Sequence, residues 1–300
     1  MAIEERRIAA GGLRFDALEA GPRTGQLVLL LHGFPQSSQC WMQALESLGD
    51  AGFHAVAYDQ RGYSAGATPE GVESYRVSAL MSDVARVATA LDSPQFHVIG
   101  HDWGGTIAWA LAAHLPQRLL TVTVLSTPHT LSLALTLRGV RQRLRMAYIP
   151  LMQTPFAGEA AFHAARGFAV KQALIATGLP ADLAARDVDH VLEVGPTGPL
   201  NWYRALRLPS DQRPGRDPVP TMYVWGDRDA PFGREAAEDT ANHVDGPYHF
   251  VELDGGTHWI PDLHWDEVDD LVLDHISADG HVARRAVRPV RRRRAQPAPA

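Results

Sequence analysis

The most informative stretch of the chain is FHVIGHDWGGT, residues Phe96–Thr106. Its first four residues favour a buried strand, and the residues from Trp103 onward favour a helix. Between them, Gly100, Asp102 and Gly104 follow the pattern G-x-D-x-G, and glycine on either side of the aspartate permits a sharp turn. Such a turn exposes the Asp102 side chain at the end of the strand, where the N-terminus of the next helix favours its anionic form.

The same residues argue against two other glycine-rich turns. A P-loop requires Lys after its second glycine, whereas Thr106 follows Gly105 here. A dinucleotide-binding turn requires G-x-G-x-x-G, which this stretch lacks. Taken alone, this stretch favours a nucleophile at Asp102 only modestly over an ordinary helix N-cap, so its chemical role depends on partner residues elsewhere in the chain.

Strand-like and helical segments alternate on both sides of this turn, which predicts a mostly parallel sheet with helices on both faces. The predicted strands are Glu5–Ala10, Leu13–Glu19, Leu27–Leu31, His54–Tyr58, Phe96–Ile99, Thr121–Leu125, Thr221–Trp225 and Phe250–Leu253. The predicted helices are Ser38–Leu48, Val77–Leu91, Trp103–Ala113, Arg234–His243 and Asp266–Ile276. Gly11-Gly12 predicts an antiparallel hairpin of the first two strands.

The alternation stops between about Thr127 and Pro220, where the sequence has helical periodicity and no clear strand. We therefore expect an α/β protein with an eight-stranded sheet and an inserted helical cap. The predicted division is a core of residues 1–128 and 217–280, a cap of residues 129–216, and a disordered Arg/Pro-rich tail of residues 281–300.

Composition limits the class of protein. A chain of 300 residues with 45% hydrophobic and 21% charged residues is typical of a globular protein with a sizeable core. The single cysteine, Cys40, excludes an internal disulfide and a cysteine-cluster metal site. No secretory signal or membrane-spanning segment is recognisable. We therefore expect a cytoplasmic protein with no membrane partner.

Charge is distributed unevenly along the chain. Residues 281–300 contain seven arginines and no acidic residue, and they leave a net charge of −13 on residues 1–280, against −6 for the whole chain. A core this acidic is a poor surface for nucleic acid, so we expect no nucleic acid to bind through it.

Candidate partners of Asp102 follow it in the order acid, then histidine. The segment WGDRDAP, residues 225–231, follows the seventh predicted strand and offers Asp227 and Asp229. The segment LDGGTHW, residues 253–259, follows the eighth and offers His258. Both would lie on loops at the carboxyl edge of the sheet, beside the turn at Asp102. This order predicts nucleophilic catalysis by Asp102 with His258 as the base.

Further motifs complete the pattern: LHGFP at residues 31–35, Trp41, YDQRGYS at residues 58–64 and GHDWGG at residues 100–105. Together they resemble the epoxide hydrolase branch of the α/β-hydrolase superfamily, over roughly residues 10–130 and 215–265. The resemblance implies the α/β-hydrolase fold. Its W-G-x-x-D spacing selects Asp229 as the acid, with Asp227 as a minor candidate.

The resemblance also implies two cap tyrosines. Tyr203 lies in PLNWYR, residues 199–204, and Tyr148 precedes Gln153-Thr154-Pro155. In this chemistry Asp102 opens the epoxide and forms an alkyl ester, while the tyrosines protonate or hydrogen-bond the departing oxygen. His258, oriented by Asp229, then activates water against the ester.

The remaining site predictions concern binding. The backbone N–H groups of Phe34 and Trp103 are expected to stabilise the oxyanion, and His32 is expected to be a structural hydrogen-bonding residue. Met152, Phe156 and Trp202 are candidates for the pocket wall and suggest an apolar epoxide. The chemistry requires water, no metal and no organic cofactor. Neither the oligomeric state nor the particular epoxide follows from the sequence.

Two other functions remain as alternatives. A haloalkane dehalogenase uses the same type of nucleophile, with Trp103 and a second N–H donor such as Trp202 holding the halide. Phe34 stands where one dehalogenase branch has Asn, and the tyrosine pair has no purpose there. A non-catalytic binding domain on a hydrolase fold is the second alternative, which the joint presence of Asp102, Asp229 and His258 disfavours.

Overall fold

The computed structural model describes residues 2–211 and 215–277, together with the backbone of residues 288–290. In this part of the chain one sheet contains nine strands: β1 (Glu4–Ala10), β2 (Leu13–Ala20), β3 (Leu27–Leu31), β4 (His54–Tyr58), β5 (Phe96–His101), β6 (Leu119–Leu125), β7 (Thr221–Gly226), β8 (Tyr248–Leu253) and β9 (Arg288–Val290). The α-helices of the described residues are α1 (Met42–Asp50), α2 (Val77–Ala90), α3 (Trp103–His114), α4 (Thr130–Thr136), α5 (Val140–Arg145), α6 (Ile149–Gln153), α7 (Ala157–His163), α8 (Phe168–Ala176), α9 (Ala181–Val194), α10 (Thr197–Ala205), α11 (Arg234–Asp239), α12 (Ile260–Leu263) and α13 (Trp265–Ser277).

The sheet is mostly parallel, as predicted. Its strand order is β1-β2-β4-β3-β5-β6-β7-β8-β9. The first two strands form the predicted antiparallel hairpin, and β2 is also antiparallel to β4. The pairings from β4 to β9 are parallel. Parallel strands end at the same edge of the sheet, so the loops after β5, β7 and β8 meet there.

The core lies on both faces of this sheet because side chains alternate along each strand. In β3, Leu29 and Leu31 pack into one hydrophobic cluster, which includes residues of α2 and α3. Val28 and Leu30 pack into the other, which includes residues of α1 and α13. Every residue of β3 is buried, which explains why a continuous apolar run identified this strand in the sequence.

The ninth strand is a difference from the prediction. Residues 281–300 were expected to be disordered, but Arg288–Val290 pairs in parallel with β8. An edge strand offers unpaired backbone N–H and C=O groups, and pairing with them requires no apolar side chain. The other residues of the predicted tail lie outside the described residues.

Seven helices, α4 to α10, lie between β6 and β7, where the helical cap was expected. Helix α10 meets the core at a backbone contact between Gly198 and Gly62. Gly62 has a φ of +92° and a Cβ there would clash with Gly198, so this contact requires glycine. Of the helices in residues 2–211 and 215–277, none is long and apolar enough to cross a membrane.

Candidate active site

Asp102 lies in a strained turn between β5 and α3. Its backbone has a φ of 51° and a ψ of −115°, a conformation that residues with a side chain rarely adopt. The Asp102 carboxylate packs against Gly33, where a Cβ would clash with it. The Phe34 N–H donates a hydrogen bond to Asp102 Oδ1 at 2.9 Å. The turn therefore presents the carboxylate, which is buried in the structure, to a backbone donor of the loop after β3.

His258 lies between the two carboxylates selected from the sequence. Its Nδ1 is 2.9 Å from Asp229 Oδ2, and its Nε2 is 3.7 Å from Asp102 Oδ2. The second oxygen of Asp229 accepts a hydrogen bond from the Phe232 N–H at 2.7 Å, which fixes the carboxylate. The structure thus brings together the three residues that the sequence places on three separate loops.

Asp227, the minor candidate for the acid, lies elsewhere. It is exposed, and its Oδ1 accepts a hydrogen bond from the Gly255 N–H at 2.7 Å. This bond connects the loop after β7 to the loop after β8. The arrangement gives Asp227 a structural contact between the two loops and places Asp229 against the imidazole.

Asp102 and His258 shift each other's pKa in the direction that favours the charged form of each group. Burial by itself raises the pKa of Asp102, but the hydrogen bond and charge of His258, with contributions from His101 and the Phe34 N–H, lower it overall. Burial by itself lowers the pKa of His258, but Asp229 and Asp102 outweigh it and raise that pKa to about 10. Asp102 is therefore an anion and His258 a cation near neutral pH, when Asp102 carries no ester.

The two predicted cap tyrosines lie together. The ring centroids of Tyr148 and Tyr203 are 6.1 Å apart, in an edge-to-face arrangement. Burial raises the pKa of both hydroxyls, and the negative charge of Asp102 raises both further. A hydrogen bond with Tyr203 partly offsets this rise at Tyr148. Both hydroxyls therefore remain protonated at neutral pH and are close enough to Asp102 to sense its charge.

Aromatic rings of the core support Tyr203. Its ring centroid is 5.0 Å from that of Phe34 and 5.2 Å from that of Trp103, and both pairs are edge-to-face. A hydrogen bond from the Trp103 side chain also lowers the pKa of Tyr203 against the larger effect of burial. Phe34 and Trp103, both predicted for substrate binding, thus border the space between Asp102 and the tyrosines.

Trp202 requires a correction. It was expected to bind substrate and was considered as a second halide donor. The side chain is fully buried, and its Nε1–H donates to the Arg61 carbonyl at 2.7 Å. The indole points into the core because α10 packs on the loop after β4, so its N–H is not available to a ligand beside Asp102.

Met152 is buried in the cap, whereas Phe156 is 83% exposed, which contradicts its expected position in the pocket wall. Phe156 lies in a turn between α6 and α7 with a φ of 63°, and this turn directs the side chain to solvent. Periodicity in the sequence does not reveal such a turn, because the positive φ occurs at a residue other than glycine.

His32 occupies the structural position expected of it. Burial, the largest effect, lowers its pKa to about 3, so the ring is neutral. Its Nδ1 donates to the Gly33 carbonyl at 3.0 Å, and its Nε2 accepts from the Gln60 N–H at 3.0 Å. Both nitrogens are used in holding the loop after β3 against the loop after β4.

A set of residues that was not predicted from the sequence holds His258 by its backbone. The His258 carbonyl accepts hydrogen bonds from His101 Nε2 and Ser126 Oγ, each at 2.8 Å. Gln36 Oε1 lies 2.8 Å from His101 Nδ1, and Gln36 Nε2 donates to Asp262 at 2.8 Å. The only sequence signal was the position of His101 directly before Asp102.

A chain of contacts continues from this set into the cap. The Arg186 guanidinium, on α9, donates two hydrogen bonds to the Asp262 carboxylate, each at 2.9 Å. The pair connects the cap to the segment that follows His258.

Among residues 2–211 and 215–277, no group of three His, Cys, Asp or Glu side chains is arranged to hold a metal ion.

The chain matches known proteins over most of its length. A model of the α/β hydrolase fold family matches residues 26–264. The AB hydrolase superfamily protein YfhM of Bacillus subtilis is 33% identical over 90% of this chain and 96% of its own length. Mouse epoxide hydrolase 4 is 31% identical over 89% of this chain and 77% of its own length.

A solved structure is similar to this chain in fold as well as in sequence. The crystal structure of epoxide hydrolase A from Mycobacterium thermoresistibile is 26% identical and superposes with a TM-score of 0.78, covering 92% of this chain and 98% of that one. The match extends over sheet and cap alike. The fold, these relatives and the placement of Asp102, Asp229 and His258 lead to one conclusion. The chain belongs to the α/β-hydrolase fold family and is an epoxide hydrolase-like hydrolase within it.

Proposed function

We propose that this hydrolase converts an apolar epoxide and water into a vicinal diol through an alkyl ester on Asp102. The observation that carries the proposal is a carboxylate facing two protonated tyrosines. Asp102 is held anionic, and its charge raises the pKa of both Tyr148 and Tyr203. An epoxide between these groups would be attacked at carbon from one side and protonated at oxygen from the other.

The first step forms the ester. One Asp102 oxygen attacks an epoxide carbon, the carbon–oxygen bond of the ring breaks, and the departing oxygen takes a proton from a tyrosine. The rings of Phe34 and Trp103 border this space and favour an apolar substrate. The product of the step is an ester of Asp102 that carries a neighbouring hydroxyl group.

The second step hydrolyses the ester. Esterification removes the charge of Asp102, one of the two carboxylates that raise the pKa of His258, so the imidazole gives up its proton, which restores the tyrosine hydroxyl. Neutral His258 then takes a proton from water, and the resulting hydroxide adds to the ester carbon. The Phe34 N–H already contacts Asp102 Oδ1, which is one candidate position for the oxyanion. The Trp103 N–H is proposed as the second donor.

The tetrahedral intermediate formed by this addition then collapses. It releases the diol as an alkoxide, which takes the proton held by His258. Asp102 is left as a carboxylic acid and ionises, and the proton it loses restores the His258 cation. The sum of the steps is epoxide plus water giving diol, with no redox change. Only side chains and water are used.

The dehalogenase alternative loses its second donor. Halide release requires two N–H groups at the leaving atom, and the Trp202 N–H is bound to the Arg61 carbonyl. The Tyr148 and Tyr203 hydroxyls, which a halide does not require, occupy the cap side instead. Both observations favour an oxygen leaving group.

Trapping the ester tests the proposal. In His258→Gln, Asp102 should still be alkylated, but hydrolysis should be about 10²–10⁴-fold slower, the scale of general-base catalysis. Intact-mass spectrometry after mixing with an aryl-substituted epoxide should show the protein plus one substrate mass. The adduct should disappear when Asp102→Ala is added.

A matched histidine–aspartate pair outside the site provides the control. His243 Nε2 lies 3.0 Å from Asp239, much as His258 pairs with Asp229. His243→Gln should turn over epoxide normally and accumulate no adduct. An active parent enzyme whose His258→Gln variant stays unmodified would contradict the ester mechanism, and a parent inactive on every epoxide but active on a haloalkane would replace the proposal.

A further inference from the structure

Helix α5 (Val140–Arg145) presents its apolar side chains to solvent. Val140 and Leu144 lie one turn apart and are 62% and 70% exposed, whereas Gln142 is buried. A surface helix normally packs its apolar residues inward and exposes its polar ones. In α5 both apolar residues are exposed, and the polar Gln142 is the one buried residue of the helix.

Specific polar contacts hold α5 in this orientation. Gln142 Nε2 donates to the Pro231 carbonyl at 2.7 Å, and the Gly233 N–H donates to Gln142 Oε1 at 3.2 Å. The Arg145 guanidinium donates to the carbonyls of Asp229 and Ala230 at 2.7 and 2.8 Å. The inner side of α5 is therefore bound to the loop that carries Asp229, and its apolar side chains remain largely exposed to solvent.

Unpaired cations surround the exposed apolar residues. Arg138, Arg141 and Arg143 are exposed, and none of their guanidinium groups bonds to any group in the described part of the chain. Residues 127–158 contain four arginines and no acidic residue. Leu135, at the end of α4, is 49% exposed and precedes this segment. We call the six residues Leu135, Arg138, Val140, Arg141, Arg143 and Leu144 the α5 surface.

We propose that the α5 surface docks on the anionic headgroup region of a phospholipid bilayer. Aliphatic side chains flanked by arginines are the combination that lies in the interface between headgroups and acyl chains. Charge complementarity favours this occupant, because a chain with a net charge of −6 approaches an anionic surface only through a locally basic patch. The expectation of no membrane partner rested on the lack of a spanning segment, which surface docking does not require.

The size of the α5 surface argues against a second copy of the chain. A six-residue helix is about 9 Å long. Stable protein interfaces bury about 800 Å² on each partner, which three isolated aliphatic side chains do not supply. A fluid lipid surface accepts isolated side chains and needs no matching shape.

Docking here would serve the proposed function, on which this one point rests. An apolar epoxide concentrates in the acyl region of a bilayer. Because Arg145 and Gln142 bind the loop of Asp229, the α5 surface lies directly over one wall of the active site. The enzyme would then meet its substrate in the phase where that substrate accumulates.

Sedimentation with vesicles tests the docking. The full chain should bind vesicles of phosphatidylcholine with 30% phosphatidylglycerol at low salt, and bind pure phosphatidylcholine at least tenfold more weakly. Each arginine near an anionic surface contributes about fivefold to binding, so Arg138→Gln/Arg141→Gln/Arg143→Gln should weaken it at least tenfold. Val140→Ser/Leu144→Ser should weaken it at least fivefold.

Matched variants control for total charge and exposed apolar area. Arg14→Gln/Arg207→Gln/Arg228→Gln removes three exposed arginines outside the α5 surface, and Leu206→Ser removes a leucine that is 50% exposed. Both should bind within twofold of the parent. All variants share the same seven arginines of residues 281–300, so differences among them report on the α5 surface.

Three results would overturn the docking proposal: no binding by the parent, equal binding by parent and α5 variants, or a parent self-association in sedimentation velocity that Val140→Ser/Leu144→Ser removes. Turnover of a water-soluble epoxide should be the same in every variant. A chain that binds vesicles through the α5 surface but hydrolyses no epoxide would refute the proposed function and leave the docking proposal standing.

Discussion

The two halves of the active site are held in different ways. The core half, Asp102, Asp229 and His258, is fixed by hydrogen bonds to backbone N–H groups and between the side chains themselves. The cap half, Tyr148 and Tyr203, is positioned mainly by aromatic packing. Charge changes on Asp102 and His258 during the reaction, and hydrogen bonds fix the geometry there. The tyrosines need only reach the departing oxygen. Variants of the two halves should therefore affect different steps.

The largest effect is expected in the core half, at the acid. Asp229→Asn removes the charge that orients and stabilises the His258 imidazolium, and such changes cost about 10⁴-fold in turnover. Asp227→Asn, the matched control on the same loop, should retain activity within about tenfold. Steady-state rates with folded protein, verified by circular dichroism, measure both. A greater loss for Asp227→Asn would show that Asp227, and not Asp229, is the acid that orients His258.

The cap half should affect the first step alone. Tyr203→Phe and Tyr148→Phe each remove one O–H donor, and the pair should slow alkylation by about 10²–10⁴-fold. Decay of the ester should change little, because His258 acts from the opposite side of the site. Stopped-flow measurements of ester formation and decay separate the two steps. Full epoxide turnover by the double variant would contradict the role of the two tyrosines as proton donors.

A smaller effect is expected at the backbone of His258. Ser126→Ala removes one of the two donors to the His258 carbonyl. Looser positioning of the imidazole should slow ester hydrolysis about tenfold and leave alkylation unchanged.

Ser82→Ala provides the control for this change, because Ser82 donates to a helix carbonyl far from the site. A general loss of stability would slow both steps together. Equal slowing of alkylation and hydrolysis in Ser126→Ala would therefore contradict a positioning role.

A buried carboxylate away from the site should affect stability and not turnover. Burial, the largest effect, raises the pKa of Glu19, but Arg6, His54 and Arg23 lower it to about 2. A carboxylate with a lowered pKa stabilises the folded state above its unfolded pKa of about 4.5, and this stabilisation is lost as pH falls toward 2.

Glu19→Gln should therefore lower the free energy of unfolding by up to about 3 kcal/mol at pH 7, since each pKa unit corresponds to about 1.4 kcal/mol. The difference between variant and parent should shrink steadily below pH 4.5. Urea unfolding at several pH values, with epoxide turnover measured in parallel, tests both points. A difference that grows as the pH falls would contradict this sign.

The core was predictable from the sequence because its signals are local. The predicted strands Leu27–Leu31 and His54–Tyr58 have the bounds of β3 and β4 in the structure. The order of Asp102, Asp229 and His258 placed three loops at one edge of a parallel sheet, and the structure brings those side chains together. Residues far apart along the chain lie close together here because parallel strands end at the same edge of the sheet.

Other features depend on contacts without a local signal. Residue type suggested that Trp202 faces a ligand, but packing of α10 directs its N–H to Arg61. Ser126 acts through a backbone carbonyl, which no side-chain pattern marks. The short strand at Arg288–Val290 arises from backbone pairing at a sheet edge. The orientation of α5 likewise depends on hydrogen bonds of Gln142 and Arg145 to a distant loop.

The hydrogen bond between Trp202 and the Arg61 carbonyl has a consequence for product release. Trp202 and Tyr203 are adjacent on α10, so one peptide unit separates the residue bound to the core from the residue that faces Asp102. A cap movement that keeps this bond would carry Tyr148 away and leave Tyr203 in place. The exit for the diol would then open asymmetrically, on the side of Tyr148 and α5, and the size of that opening would limit which diols leave quickly.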